Sequence, residues 1–100
     1  MFILGIDIGT QSLKAVVLGE GLRPQGAGAA AYEPCFPQPL WAEQDPRLWL
    51  AALRPAIGQA IRDARVEAAD IGALGIAGQL DGCLPVDGKG EALVPGITIG

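Results

Sequence analysis

Two short apolar runs, residues 2–8 and 13–18, stand on either side of the polar tetrad Gly9-Thr10-Gln11-Ser12. Runs of this length, bounded by turn residues, favour strands over helices. Phe2, Leu4, Ile6 and Ile8 fall on one face of the first strand, and Ile3, Gly5 and Asp7 on the other. Both faces are mostly apolar, so the first strand is expected to be central and covered on both sides. Gly19-Glu20-Gly21 turns the chain again, and residues 26–33 read as a third strand that completes an antiparallel meander. Pro34, Pro37 and Pro39 then mark a loop.

Asp45-Pro46 reads as a helix start, with Asp45 accepting from orphan amides and Pro46 at the first helical position. Trp49, Leu53, Ile57 and Ile61 recur every four residues, with Ala52, Ala56, Ala60 and Ala64 alongside. This spacing predicts an amphipathic helix of about five turns. Pro55 removes one ladder bond, and the unbroken apolar period beyond it predicts a kink, not a stop. Residues 72–77 read as a buried strand. Leu84 to Val86, a turn at Asp87-Gly88-Lys89-Gly90, and Ala92 to Ile99 read as a hairpin.

Composition narrows the function classes. The 100 residues are 50% hydrophobic and carry a net charge of −4, which suits a single folded domain and not a disordered tail. The acidic balance argues against a nucleic-acid or anionic-membrane surface, because phosphate backbones and acidic lipids call for a basic patch. The sequence has no His, which removes His-based triads, His metal ligands and imidazole switches from these residues. It has no Asn either, so no N-glycosylation acceptor exists. No run reaches the length of a membrane span. Asp7 interrupts the N-terminal apolar run and no basic segment precedes it, which argues against a signal peptide. Cys35 and Cys83 form no CxxC pair and read as reduced thiols of a cytoplasmic protein. Ala92 to Gly100 is an apolar run still in progress, so the chain is expected to be the opening part of a longer protein.

Two segments can carry chemistry. Asp7 lies near the end of an apolar strand, followed by Gly9, which permits close backbone approach, and by the polar Thr10, Gln11 and Ser12. Such a turn can aim successive amides at an anion, with Asp7 near a metal ion; equally, it is an ordinary hairpin with Asp7 capping the turn. Gly78-Gln79-Leu80-Asp81-Gly82 follows the strand at 72–77. Polar groups there occupy the place where α/β sheets bind ligands, although Asp81-Gly82 is also a strong turn dipeptide. Two other matches fail. Gly26-Ala27-Gly28-Ala29-Ala30-Ala31 lacks the following helix that a dinucleotide fingerprint needs, and Gly82 to Gly88-Lys89 has the wrong spacing for a P-loop. Trp41-Ala42-Glu43-Gln44-Asp45-Pro46 reads as a helix entry with Trp41 packed beneath it, in preference to a sugar-stacking tryptophan.

Taken together, these segments resemble the FGGY carbohydrate kinases, in their xylulokinase-like branch. Leu4 to Lys14 is similar to the opening phosphate motif of that family, Leu40 to Pro46 with Trp49 to its next landmark, Ile71 to Gln79 to the third, and Val94-Pro95-Gly96-Ile97 to the strand after it. The resemblance covers nearly the whole chain, with all four motifs in order. It implies an α/β, RNase H-like (actin-like ATPase) N-terminal domain with a mixed sheet. Residues 1–100 would be its first part, and the rest of that domain and a C-terminal domain would lie beyond them. The implied activity is ATP- and Mg²⁺-dependent phosphorylation of a sugar or polyol hydroxyl, such as that of the pentulose D-xylulose. The alternative is a non-catalytic actin-like module that binds nucleotide or sugar. By the resemblance, Asp7 matches the acidic residue near metal and phosphates, Gly9, Thr10, Gln11 and Ser12 the phosphate loop, and Lys14 an often basic position. Gln79, Leu80 and Asp81 match substrate-contacting positions, and the catalytic base lies beyond residue 100. The implied partner is a small sugar, with neither nucleic acid nor membrane, and a homodimer stays open. Where xylulokinase-like members commonly carry Gln-Met-His-Gly, this chain has Gln79-Leu80-Asp81-Gly82, which replaces a donor with an anion that accepts hydrogen bonds from sugar hydroxyls.

Overall fold

Strand β1 (Phe2–Ile8) pairs antiparallel with β2 (Ser12–Leu18), from Ile3 opposite Leu18 to Ile8 opposite Leu13. The computed structural model describes residues 1–36, 38–39, 42–78, 83–93 and 96–98. Within them, β2 pairs antiparallel with β3 (Pro24–Ala31), and β1 pairs parallel with β5 (Ile71–Ala77). The resulting four-stranded sheet has the order β3-β2-β1-β5. Two parallel strands need a crossover between their ends, and helix α1 (Pro46–Ala64) lies within it. A second, two-stranded sheet joins β4 (Ala42–Gln44) to β6 (Gly96–Thr98). This is the expected mixed sheet with an antiparallel meander and one long helix.

Asp45 begins the helix as its pattern predicts. Its backbone is extended, and its side chain accepts the Arg47 amide at 2.9 Å while Pro46 occupies the first turn. Arg47 also folds back onto the carboxylate at 2.7 Å. Hydrogen bonding from Arg47 holds the Asp45 carboxyl below its ordinary range. The helix runs through Pro55 to Ala64 and closes on Arg65 in the left-handed region, whose amide reaches Arg62 O. Pro55 and Ala51 are both exposed, so the helix loses a ladder donor at the Ala51 carbonyl on its solvent side, where water can replace it.

The core differs from the expected stripe of large residues. Ala52, Ala56 and Ala60 are the buried positions of α1, and Trp49, Leu53, Ile57 and Ile61 flank them half-buried. The reason lies in β3. A Cβ on Gly28 would stand 2.8 Å from the Ala60 amide nitrogen and collide with the Ala56 carbonyl, and one on Gly26 would stand 2.7 Å from the Ala60 carbonyl. Two glycines facing Ala56, Ala60 and Ala64 let the backbones touch. The helix therefore settles over β3 and β2, covering Leu13, Ala15 and Val17, with Leu4 and Ile6 of β1 in the same core. It also closes the sheet edge: the Ala27 amide donates to Asp63 Oδ2 and the Ala29 amide to Gln59 Oε1, both at 3.0 Å. Gln59 and Asp63 stand one turn apart on the helix, a spacing that presents them side by side to alternate amides of an edge strand.

Several expectations change. The third strand spans Pro24–Ala31, not 26–33, because Tyr32 leaves the ladder to bond the β1–β2 turn. The strand expected to be buried is exposed: Leu74 and Ile76 retain 57% and 65% of their accessible surface. Among the described residues it is the last strand of the sheet, and α1 lies over the opposite end. For the same reason β1 is covered on one face only, since Ile3 and Gly5 are half-buried and Asp7 is exposed on the other. The hairpin after Leu84 is short: Val86 bridges Ala92 across a turn closed by Gly90 N to Asp87 O. Gly96–Thr98 pairs instead with β4. Cys35 and Cys83 carry free, exposed thiols.

The close helix–strand approach has a direct test. In the full-length protein Gly28→Ala should lower stability by about 2–3 kcal/mol, as overpacking does. Gly88→Ala, at an exposed turn with open space around it, should change stability by less than about 0.5 kcal/mol. Equal effects in thermal and chemical unfolding would refute the contact's role.

Candidate functional site

The β1–β2 turn is anchored from behind by its carbonyls. Gly9 N donates to Ser12 O at 3.0 Å and closes the turn. Tyr32 Oη donates to Gly9 O at 2.5 Å, Gln44 Nε2 donates to Thr10 O, and Tyr32 N donates to Gln11 O at 3.0 Å. Three successive carbonyls are thus held by groups from the end of β3 and from β4. The side chains of Thr10 and Gln11 are exposed, and among the described residues no hydrogen bond takes the amide of either. Adjacent free amides in a turn whose carbonyls are occupied form a ready seat for an anion. Gly9 is required here, since a Cβ on it would stand 3.0 Å from Ser12 O, against the bond that closes the turn.

Charge stands beside this seat. Asp7 is the penultimate residue of β1, opposite Lys14 on β2, and both side chains are exposed on the face away from α1. Cross-strand partners on one face are near neighbours. A concavity of about 970 Å³ runs along this face, with Gly5, Asp7, Lys14 and Ala77 in its lining. Ala77, at the carboxyl end of β5, is the register partner of Asp7. The carboxyl ends of two parallel strands therefore lie side by side at the turn, the place where α/β sheets bind ligands. The structure brings together the predicted residues Asp7, Gly9, Thr10, Gln11, Ser12 and Lys14. Gln79, Leu80 and Asp81 lie outside the described residues, as does Trp41.

Three residues that support the turn escaped the sequence reading of the site. Tyr32 is buried, and Gln44 is 1% exposed, the one buried polar side chain among the described residues. Trp49, assigned from its spacing to the helix stripe, donates its indole N–H to Gln44 Oε1 at 2.8 Å. Burial, and after it the negative charge of Asp7, push the Tyr32 phenol above its ordinary range, so it stays protonated and keeps donating to Gly9 O. Gln44 has a weak signal, since it directly precedes the helix cap. Nothing local marks Tyr32.

A protein-family model, the N-terminal domain of the FGGY family of carbohydrate kinases, matches residues 2–99. The chain belongs to this family. It is 37% identical over 94 residues to the xylulose kinase of Escherichia coli K12, covering 94% of this chain and 19% of that protein. It is 35% identical over 98 residues to the glycerol kinase of Thermococcus kodakarensis, covering 97% of this chain and 20% of that one. Among solved structures, a xyloylose kinase from Brucella ovis superposes with a TM-score of 0.90 at 34% identity, covering 97% of this chain and 20% of that chain. The chain thus spans about a fifth of the length of these relatives. The meander, the helix and the parallel β5 match the FGGY N-terminal domain, with the actin-like fold that the resemblance implies. No helix among the described residues is long and apolar enough to cross a membrane.

The Tyr32 anchor predicts a titration. Its folded-state value is raised, so the stability it contributes is present below pH 10.0, the ordinary phenol value, and is lost as pH rises through the folded value. Ultraviolet difference titration of the full-length protein against Tyr32→Phe should show this phenol ionising above pH 10.0. Asp7→Asn should move it down only part of the way, because burial is the larger cause. A midpoint at the ordinary value would refute the assignment.

Proposed function

We propose that this chain is the first part of the N-terminal domain of a cytoplasmic kinase that transfers the γ-phosphoryl of ATP to a hydroxyl of a sugar or polyol, with a pentulose such as D-xylulose as the favoured acceptor. The observation that carries this reading is the β1–β2 turn. Its carbonyls are bonded from behind, no hydrogen bond takes the Thr10 or Gln11 amide among the described residues, and Asp7 and Lys14 stand at its side. Phosphoryl transfer depends on positioning and charge neutralisation more than on covalent help from the protein. The Thr10 and Gln11 amides would hold phosphate oxygens, with the Thr10 and Ser12 hydroxyls as further donors and Lys14 as a nearby cation. The fit to Mg²⁺ is that of a single-carboxylate site: Asp7 is exposed, and among the described residues its carboxylate takes part in no hydrogen bond or ion pair. No cluster of three or more acidic or thiol ligands occurs among the described residues. Asp7 would hold Mg²⁺ together with phosphate oxygens and water, the habit of this ion. Bound there, Mg²⁺ supplies neutralisation of phosphate charge.

On the acceptor side, Gln79, Leu80 and Asp81 follow the end of β5 in sequence, immediately past the strand that ends beside Asp7. Asp81 would accept hydrogen bonds from acceptor hydroxyls and repel sugar acids. The catalytic base would come from beyond residue 100.

Two substitutions in the full-length protein test the two halves of this reading. Asp7→Asn should lower kcat by about 100-fold or more with the melting temperature unchanged, a loss typical of an electrostatic group acting on the transferring phosphoryl. Asp81→Ala should raise KM for the sugar about 10–100-fold, as expected for a lost hydrogen bond to a charged group, and leave KM for ATP unchanged. Unchanged turnover for the first, or parallel changes in both constants for the second, would refute the respective role. Nucleotide binding without turnover toward any sugar or polyol would favour a non-catalytic module.

A further inference from the structure

The side chain of Gln44 has its two ends committed in opposite senses. The indole of Trp49 can only donate, so the atom facing it at 2.8 Å must be Oε1. That leaves Nε2 to face Thr10 O, where it donates. The orientation of the amide follows from the chemistry of its neighbours, since a flipped amide would set oxygen against the Thr10 carbonyl and N–H against N–H at the indole. The side chain is 1% exposed, so water cannot substitute for either partner. Trp49 stands in the first turn of α1, directly after the cap formed by Asp45 and Pro46. Gln44 ends β4, which is paired with β6.

From this we infer that Gln44 is a positioning residue for the nucleotide, with Trp49 acting through it. By drawing the Thr10 carbonyl inward, Gln44 sets the peptide plane between Thr10 and Gln11 so that the amide of Gln11 turns away from the core. A peptide is planar, and its carbonyl and N–H point in opposite directions. A group bonded to the carbonyl of one residue therefore aims the amide of the next. Tyr32 does the same one residue earlier: its hydroxyl on Gly9 O aims the Thr10 amide. The two amides proposed to receive phosphate are thus aimed by two side chains that never touch the ligand. Trp49 selects which end of the Gln44 amide meets Thr10, so the first turn of α1 helps determine the geometry of the β1–β2 turn.

This inference rests on the reading of the β1–β2 turn as the phosphate seat, and the experiment separates the two. In the full-length protein, Gln44→Met keeps the side chain's length and removes the hydrogen bonds to Thr10 O and from Trp49. It should raise KM for MgATP about ten-fold, the effect of one lost hydrogen bond, and change KM for the sugar by less than about two-fold. Trp49→Phe should raise KM for MgATP about three-fold alone and add nothing in the Gln44→Met background, because its effect passes through Gln44. A merely structural Gln44 would lower the melting temperature and move both Michaelis constants together, and that result would overturn the inference. So would additive effects of the two substitutions. Should Gln44→Met fail to fold, Trp49→Phe decides alone: a rise in KM for MgATP without one for the sugar supports the inference, and an unchanged MgATP constant overturns it. If wild-type protein fails to bind MgATP, the phosphate seat itself falls and takes the inference with it, a result visible before any substitution is made.

Discussion

The close contact between α1 and β3 governs the rest of this structure. Gly26 and Gly28 leave no side chain between the strand and the helix, and Ala56, Ala60 and Ala64 add almost none from the other side. Backbones that approach this closely gain dispersion contacts along their whole length. The larger gain is positional. A helix seated on β3 and β2, with Gln59 and Asp63 bonded to the strand's outer amides, has its rotation and its height above the sheet fixed at the same time. Its first turn is then fixed as well.

That fixed first turn is what reaches the site. Trp49 is placed so that its indole meets Gln44, and Gln44 meets Thr10. The end of β3 delivers Tyr32 to the same turn from the other direction. The β1–β2 turn is therefore not an isolated hairpin whose shape is set by its own four residues. It is clamped by groups distant in the chain, and the clamp acts on carbonyls, which leaves amides for a ligand. Pre-organisation of this kind removes the reorganisation cost that a free loop would incur on binding an anion. The open face of the sheet carries the charged pair Asp7 and Lys14, while the face under the helix is apolar throughout. Charge and core are thus segregated by the two-residue alternation of the strands.

Much of this was legible in the residues. The two short runs and their polar tetrad predict β1, β2 and the turn, and Asp45-Pro46 predicts the start of α1 to the residue. Asp7 was marked by being a carboxylate in an apolar strand, and the turn by its glycine and three polar neighbours. What misled was hydrophobicity. Residues 72–77 are apolar enough to read as buried, and within these 100 residues, about a fifth of the length of the relatives, Leu74 and Ile76 are exposed. The large residues of α1 are conspicuous, yet small ones hold the centre of the contact. Gly26 and Gly28 read as ordinary strand glycines, because the helix that requires them lies some thirty residues further along.

By itself, then, the sequence determined the local elements, the polar turn with Asp7 and Lys14 beside it, and the membership of the FGGY family. These depend on periodicity, capping and residue order, which short windows of chain contain. The tertiary structure alone decided that β5 joins β1 in parallel, that Gly96–Thr98 pairs with β4, and that Tyr32, Gln44 and Trp49 converge behind the turn. Except for the bond from Trp49 to Gln44, each is a contact between residues far apart in sequence. Nothing in the neighbourhood of either partner encodes it, because the donor and the acceptor satisfy each other only once the helix has settled on the sheet.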